Sequence, residues 1–199
     1  MSAAQDQDAA WISIEAPFPP RWLLEFVNEL ERLFRINSLL EIYSWEEVGE
    51  GRIQLRALNL SNGRALECEL FVTRLEIGLD IRYQGQLKRA TYIRVEAGKV
   101  HSGLLRITDD YSAIPTAERE ARLDEVDRSL LCWGQDLHRY LMAWHRWSWL
   151  PPWRWYMSRV WLGMKPSARR ITRWILWITL VELVAFLMVF AVFVIEQGS

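Results

Sequence analysis

The sequence has little of the chemistry that marks a disulfide scaffold or a metal protein. Its 199 residues include two cysteines and three histidines, so a framework of several disulfide bonds is excluded. Cys68 and Cys132 each lie among apolar residues without a CxxC partner, and we predict that both are buried and unreactive. His138 and His145 lack the i,i+4 spacing that suits two zinc ligands on one helix, so no metal is expected.

Motifs of the common enzyme classes are also missing. The chain contains no P-loop, GxGxxG or GxSxG sequence, so we predict no catalytic residue and no cofactor. Asp109 and Asp110 open the stretch DDYSAIPTAERE and are interpreted as part of a solvated loop. His101 is interpreted as an ordinary strand residue.

Charge and tryptophan are concentrated in one part of the chain. The formal net charge is −1, yet residues 139–173 hold eight Lys or Arg and no acid. Nine of the twelve tryptophans lie at or after Trp133. The near-neutral total excludes a generally basic nucleic-acid binder, so no nucleic-acid partner is expected.

The longest apolar run covers residues 174–195. It has 22 residues with one charge, and fifteen of them are Leu, Ile, Val or Phe. As a helix it would be about 33 Å long, which is enough to cross the hydrocarbon core of a bilayer. The fifteen apolar residues, at roughly −0.4 kcal/mol each, outweigh one acid at about +3 kcal/mol. The run is therefore predicted to be a transmembrane helix.

Glu182 is the single acid within the predicted span. A carboxyl group at that depth is usually protonated or faces a partner. Two interpretations stay open, namely pairing with a polar group on another transmembrane helix, or a tolerated neutral side chain.

The flanks of the span predict its orientation. Basic residues precede it, and only Glu196 to Ser199 follow it. The positive-inside rule then places the N-terminal part in the cytoplasm. The first ten residues are polar, without the apolar core of a signal peptide. We expect a single-pass, tail-anchored protein of the cytoplasmic or inner membrane.

The segment before the span alternates tryptophan with basic residues. Indole rings favour the headgroup region, and each basic residue there gains about 1 kcal/mol from anionic lipid. Pro151 and Pro152 are expected to bend the chain onto an in-plane helix near 153–163. The predicted membrane-interface residues are Trp147, Trp149, Trp153, Arg154, Trp155, Arg159, Trp161, Lys165, Arg169, Arg170 and Arg173. Contact with single-stranded nucleic acid or with another membrane subunit is the alternative.

The body of the chain reads as a mixed α+β domain. Residues 10–17 alternate as a strand, and residues 21–36 repeat apolar side chains at helical spacing. Between 41 and 108 the period changes to two, with short turns typical of antiparallel neighbours. A long helix is predicted to begin near Thr116. The expected strands are 10–17, 42–48, 52–60, 66–72, 75–83, 89–96 and 99–108.

This order of elements resembles the START/SRPBCC superfamily of helix-grip proteins. The resemblance rests on AWISIEAPFPPRWLLEFV, EIYSWEEVGEGRIQLRAL, GLDIRYQGQLKRATYIRV, GKVHSGLLRITDDY and LDEVDRSLLCWGQDLHRYL. It covers roughly residues 10–148 and is one of pattern and element order. It implies a curved antiparallel sheet that grips the long helix, with an apolar cavity between them. Members of the superfamily hold lipids, sterols, quinones or aromatic polyketides there.

In this chain the resemblance implies a cavity lined from both sides. Its lining would be Leu70, Val72, Leu79, Ile81, Tyr83, Ile93, Leu105, Leu130, Trp133, Leu137 and Leu141. The alternative interpretation is that these side chains fill an ordinary closed core.

Together these patterns predict five segments and one leading function. The segments are a disordered N-terminus at 1–9, a helix-grip domain at 10–150, an interfacial segment at 151–173, a transmembrane helix at 174–195 and a tail at 196–199. The leading hypothesis is a membrane-anchored binding protein for a lipid, quinone, or polycyclic or isoprenoid molecule. A non-catalytic accessory subunit of a membrane complex is the main alternative. A cyclase or aromatase that uses a pocket residue such as Tyr83 or His101 is a weaker one.

Overall fold

The computed structural model describes residues 9–84, 88–99, 102–112 and 123–197. The chain forms two compact units, which divide after Gly163. The first unit holds a sheet of seven strands and a set of helices, and the second holds one long helix.

Seven strands make up the sheet of the first unit. They are β1 (Ala9–Ala16), β2 (Leu40–Gly49), β3 (Arg52–Asn59), β4 (Arg64–Leu75), β5 (Gly78–Gln84), β6 (Ala90–Ala97) and β7 (Gly103–Asp110). All neighbours are antiparallel, in the order β1-β7-β6-β5-β4-β3-β2. The curved antiparallel sheet and the α+β class are therefore as predicted.

The described part of the first unit also holds four α-helices and one π-helical turn. They are α1 (Pro20–Asn28), α2 (Leu30–Ile36), α3 (Leu123–Trp147), α4 (Pro151–Trp155) and a π-helical turn (Tyr156–Trp161). The first three of them pack against the sheet. The long helix α3 packs on β1, where Gly134 leaves room for the side chain of Ile12. A β-carbon at position 134 would lie too close to Ile12 Cδ1, so the isoleucine side chain would have to shift to accommodate any other residue.

Alternation along the strands produces the core. In β3 every second residue from Ile53 to Ala57 is buried, and in β7 the same parity is buried from Gly103 to Asp109. Because successive side chains of a strand point to opposite faces, one face of the sheet is apolar and meets the helices. The buried side chains of the sheet, α1, α2 and α3 belong to a single hydrophobic cluster.

Three local predictions need correction. The helix expected over 21–36 is interrupted at Glu29, whose backbone leaves the helical region. The strand expected over 75–83 begins at Gly78, because the chain turns at Glu76 and Ile77 between β4 and β5. The prolines at 151 and 152 begin α4 instead of preceding a helix, since proline suits the first helical turn. The predicted start of the long helix near Thr116 lies outside the described residues.

The second unit contains α5, which runs from Pro166 to Gln197. Among the described residues, one helix, Pro166–Val194 within α5, is long and apolar enough to span a membrane. None of its apolar window is buried, so its leucine, valine and phenylalanine side chains face outward all round. Such a surface is unfavourable in water and is suited to a lipid environment.

Candidate ligand-binding site

The predicted lining residues come together on facing surfaces. All eleven belong to the hydrophobic cluster between the sheet and α3. The register pairs Leu70 with Tyr83, Val72 with Ile81 and Leu79 with Ile93, so these side chains share one face of three adjacent strands. Leu130, Trp133, Leu137 and Leu141 are buried on α3. Their role toward a ligand remains a prediction, because the same contacts also suit a closed core.

One end of this apolar face is polar. On β5 the buried row Leu79–Ile81 continues to Tyr83, and on β7 the row Leu105–Ile107 continues to Asp109. Thr91 lies on β6 between them and pairs with Asp109 in the register. Thr91 is 0% exposed and Asp109 is 2% exposed. The alternation that buries the apolar residues thus also buries a carboxylate and a hydroxyl.

Lys88 supplies the positive charge for this carboxylate. Its Nζ lies 3.0 Å from Oδ1 and 3.1 Å from Oδ2 of Asp109. The lysine side chain is 23% exposed, so it is the more accessible member of the pair. Nζ also lies 4.7 Å from the ring centre of Tyr83 and 5.7 Å from that of Trp133. The ammonium therefore sits between the sheet and α3, where aromatic faces favour a cation.

Hydroxyl groups complete the coordination of Asp109. Thr91 donates to Oδ1 at 2.6 Å, and Tyr111 donates to Oδ2 at 3.4 Å. The Tyr83 hydroxyl lies 3.0 Å from Thr91 Oγ1. Since the single hydroxyl proton of Thr91 goes to Asp109, Tyr83 is the donor in that contact. We call Tyr83, Lys88, Thr91, Asp109 and Tyr111 the polar end of the site.

Electrostatics keep the donors of the polar end protonated. Burial alone would lower the pKa of Lys88, but the negative charge of Asp109 and the two tyrosines outweigh burial and raise that pKa. Burial is the main cause that raises the pKa of Tyr83 and of Tyr111. At neutral pH Lys88 is therefore a cation and a hydrogen-bond donor instead of an amine nucleophile.

Sequence reasoning found only one member of the polar end. Tyr83 was among the predicted lining residues, whereas the interpretation of Asp109 as a loop residue is wrong. β7 extends to Asp110, so Asp109 keeps the inward parity of Leu105 and Ile107. That continued alternation is the signal that could have identified it. Lys88 follows β5 outside any strand, and no pattern in the sequence marks it.

The two cysteines differ from each other. Cys68 is buried as predicted, and burial raises the pKa of its thiol to about 11, against a smaller lowering by the charge of Lys88. Cys132 is half-buried on α3, so its predicted burial is wrong. It follows Leu131, which is 51% exposed, on the outward side of the helix. His101 lies outside the described residues.

Residues 147–161, which we call the aromatic-basic segment, have one set of tryptophans that faces the first unit and another set that faces outward. Trp153 contacts Trp144 of α3, and Trp161 contacts Tyr140, with ring centres 5.5 Å and 5.6 Å apart. Met157 between them is buried. Trp149 and Trp155 face outward, with 71% and 63% of their surface exposed. The segment is thus fixed to the first unit by part of its tryptophans only.

Arg32 of α2 contributes to the same aromatic cluster. Its guanidinium carbon lies 4.6 Å from the ring centre of Trp144 and 5.3 Å from that of Tyr140. Its Nη2 donates to the Tyr140 hydroxyl at 2.9 Å, and Nη1 donates to Glu29. Stacking and directed hydrogen bonds of this kind suit arginine in particular. The cluster therefore connects α2, α3 and the π-helical turn.

The other predicted membrane-interface residues are exposed on the first unit or belong to the second unit. Trp147 is 40% exposed, and Arg154 and Arg159 are exposed on α4 and the π-helical turn. Lys165, Arg169, Arg170 and Arg173 belong to the second unit, at or near the start of α5. Glu182 is exposed on α5 among apolar neighbours.

Comparison with solved structures identifies similar folds. A START superfamily protein from Mycobacterium smegmatis has a TM-score of 0.54 and 12% identity, covering 67% of this chain and 97% of its own. A protein from Thermus thermophilus has a TM-score of 0.52 and 13% identity, covering 68% and 97%. A second Mycobacterium smegmatis protein has a TM-score of 0.52 and 10% identity, covering 70% and 94%.

These likenesses show the fold alone, because the identities are low. No protein-family model matches the sequence, and no curated protein matches it. The sequence-based resemblance to the helix-grip superfamily is confirmed at the level of architecture. These solved structures are covered almost completely, whereas about a third of this chain has no counterpart in them.

Proposed function

We propose that the protein binds an apolar ligand between its sheet and α3 while α5 anchors it in a membrane. The ligand class is a lipid, a quinone, or a polycyclic or isoprenoid molecule. The observation that carries the proposal is the gathering of eleven side chains from the sheet and α3 into one apolar face with a buried polar end. Apolar walls with a few convergent polar groups are typical of small-molecule sites.

The anchor supports the same proposal from the second unit. A helix that is apolar on all sides concentrates the protein at the bilayer, where apolar molecules also concentrate. The basic residues before the span favour a cytoplasmic first unit under the positive-inside rule. The outward tryptophans Trp147, Trp149 and Trp155 carry exposed indole surface that suits the headgroup region.

The test is native mass spectrometry with lipid extraction on full-length protein in a mild detergent. We expect one stoichiometric apolar molecule for each folded protein. A matched pair of α3 variants localises it. Leu137→Trp enlarges a fully buried side chain, and Leu131→Trp enlarges one that is 51% exposed.

The variants discriminate between a filled site and a closed core. Leu137→Trp is expected to release the bound molecule with the domain still folded, and Leu131→Trp is expected to retain it. In a closed core, Leu137→Trp would instead cost about 1–3 kcal/mol or more in unfolding free energy. A folded wild type that carries no small molecule contradicts the proposal.

Glu182 favours a second function, that of an accessory subunit in a membrane complex. Its carboxyl group has no polar partner within the described part of the chain, and an ionised acid in a bilayer costs about 3 kcal/mol. A polar group on another transmembrane helix would remove that cost. Co-purification of wild type and Glu182→Leu after mild solubilisation tests this function. We expect subunits at fixed ratio with the wild type and their loss from the variant, and an unchanged set of subunits contradicts the pairing.

A further inference from the structure

The polar end restricts which ligand groups it can recognise, and this inference rests on the proposed function. Asp109 accepts from Lys88 at both carboxylate oxygens, from Thr91 at Oδ1 and from Tyr111 at Oδ2. A carboxylate offers about four lone-pair directions. Its acceptor capacity is therefore filled by the protein itself. A ligand group that only donates hydrogen bonds finds no vacant oxygen on Asp109.

Lys88 is the more exposed member of the ion pair. Its side chain is 23% exposed, compared with 2% for Asp109. Its ammonium lies against the faces of Tyr83 and Trp133, which come from the two sides of the proposed site. An ammonium group carries three donors and no acceptor, and two of the donors of Lys88 are directed at the carboxylate oxygens of Asp109. The polar chemistry left for a ligand is thus one hydrogen-bond donor next to aromatic surface.

The opposite charges of Lys88 and Asp109 also restrict the charge of the ligand group that can bind at the polar end. Lys88 and Asp109 carry opposite charges at about 3 Å, so the pair is neutral as a whole. An ionised ligand would bring an additional charge between the sheet and α3 without a counter-charge. The desolvation of that unpaired charge would cost binding free energy. A neutral acceptor brings no such penalty and still gains a hydrogen bond from a charged donor.

We infer that the polar end binds a neutral carbonyl oxygen of an otherwise apolar ligand, as in a ketone, quinone or ester, through the ammonium group of Lys88. Asp109 acts as a positioning residue that holds the ammonium. Thr91 and Tyr111 act one step further out, since they donate to Asp109 and fix its carboxylate. The rest of the ligand lies against the apolar rows of the sheet and α3.

Three matched probes test this class on the full-length protein in nanodiscs of neutral lipid, with empty nanodiscs as the blank. They are 2-acetylnaphthalene, 2-ethylnaphthalene and 2-naphthoate, which share one ring system and differ in the polar group. A charge-assisted hydrogen bond contributes roughly 1.5–3 kcal/mol, so we expect 2-acetylnaphthalene to bind at least about tenfold more tightly than 2-ethylnaphthalene. The carboxylate is expected to bind no more tightly than the ketone.

Variants assign the preference to Lys88. Lys88→Met with Asp109→Asn removes both charges together and avoids leaving one uncompensated. This double variant should lose the ketone advantage and keep its affinity for 2-ethylnaphthalene. Lys99→Met makes the same change at an exposed lysine in the β6–β7 connection and should bind all probes as the wild type does. Circular dichroism checks that each variant is folded.

The possible outcomes of these binding measurements distinguish the carbonyl inference from the proposed function. Equal affinities for ketone and hydrocarbon, tighter binding of the carboxylate, or a ketone advantage that survives in the folded double variant overturns the carbonyl inference but leaves apolar binding intact. If the double variant does not fold, the three wild-type affinities decide. Failure of all three probes to bind the folded wild type counts against the proposed function itself.

Discussion

Two acids in apolar surroundings are handled differently by the two units of this protein. Asp109 in the first unit is 2% exposed and accepts from one ammonium and two hydroxyl groups. Glu182 on α5 lies among valine, leucine and phenylalanine and has no such partners within the described residues. The fold itself supplies hydrogen-bond and charge partners to the first acid, whereas the described residues supply none to the second.

The difference shows which parts of a protein can supply hydrogen-bond partners to a polar residue in an apolar stretch. In a folded domain, strand register and neighbouring loops bring donors to a buried carboxylate, and the cost of burying it is offset locally. On a single helix surrounded by lipid, the backbone satisfies only itself and offers nothing to a side chain. An acidic side chain thus has its hydrogen-bond partners within the fold in one unit and lacks them within the described residues of the other.

Removing the partnered acid should have the largest effect. Asp109→Ala leaves Lys88 half-buried without its counter-charge, and we expect a loss of about 3–5 kcal/mol in unfolding free energy. Urea unfolding in detergent, followed by tryptophan fluorescence, measures it. Glu25→Ala breaks an exposed ion pair with Arg21 and should cost less than about 0.5 kcal/mol. Equal costs for the two variants would contradict the description of Asp109 as the centre of a buried network.

Removing both charges should be less harmful than the two single losses added together. A double-mutant cycle of Lys88→Met and Asp109→Asn is expected to give a coupling energy of about 1–3 kcal/mol, because each single variant strands the other charge. The same unfolding assay supplies all four values. Additive costs would show that the 3.0 Å contact between Nζ and Oδ1 contributes little.

The inward and outward tryptophans should separate stability from membrane contact. Trp153→Ala removes a ring packed on Trp144 and should cost about 1–3 kcal/mol, less than a fully buried aromatic because the side chain is half-buried. Trp155→Ala alters a ring that is 63% exposed and should leave the unfolding free energy nearly unchanged.

Reconstitution of the full-length protein into vesicles of brominated lipid completes that pair of tests. Trp155→Ala should lower the fluorescence that the brominated lipid quenches, and Trp153→Ala should not do so beyond any effect of unfolding. Reversed roles would contradict the division of the segment into two sets.

Thiol labelling contrasts buried and accessible positions by a chemical route. The thiolate is the reactive form, and a pKa near 11 for Cys68 keeps its thiol protonated at pH 8. Its thiolate fraction there is roughly a hundredfold below that of a thiol titrating at the ordinary value of 9.0. We expect Cys132 to be labelled first, and Cys68 to react only above about pH 10 or after unfolding. Single Cys→Ser variants assign the rates, and equal rates would contradict the burial of Cys68.

The unpartnered acid should have the smallest effect on folding. Glu182→Leu is expected to leave the urea unfolding of the first unit unchanged, since Glu182 belongs to the second unit. A shift above about 0.5 kcal/mol would show that Glu182 contributes to the stability of the first unit, and would contradict the comparison.

Much of the architecture followed from local patterns. Period-two alternation located all seven strands, and a 22-residue apolar run located the helix that suits a membrane. The eleven side chains that the resemblance implied as a lining do belong to one hydrophobic cluster, because strand parity and helical spacing decide which side chains share a face. Their role as a ligand lining stays a prediction. The ends of the strands were harder to predict from the sequence. The strand predicted at 99–108 ended too early, and Asp109 was therefore assigned to a loop.

The sequence by itself determined the apolar faces of the strands and helices and the apolar length of α5, because hydrophobic periodicity and composition are properties of neighbouring residues. Only the tertiary structure decided that Lys88 meets Asp109 and that Trp153 packs on Trp144 while Trp155 faces outward. Those contacts join residues from different elements, so their geometry depends on strand register and helix docking. Alternation keeps Asp109 on the inward face, but a register shift by two residues would preserve that face and separate Asp109 from Thr91, and no local pattern records which of these registers the assembled fold adopts.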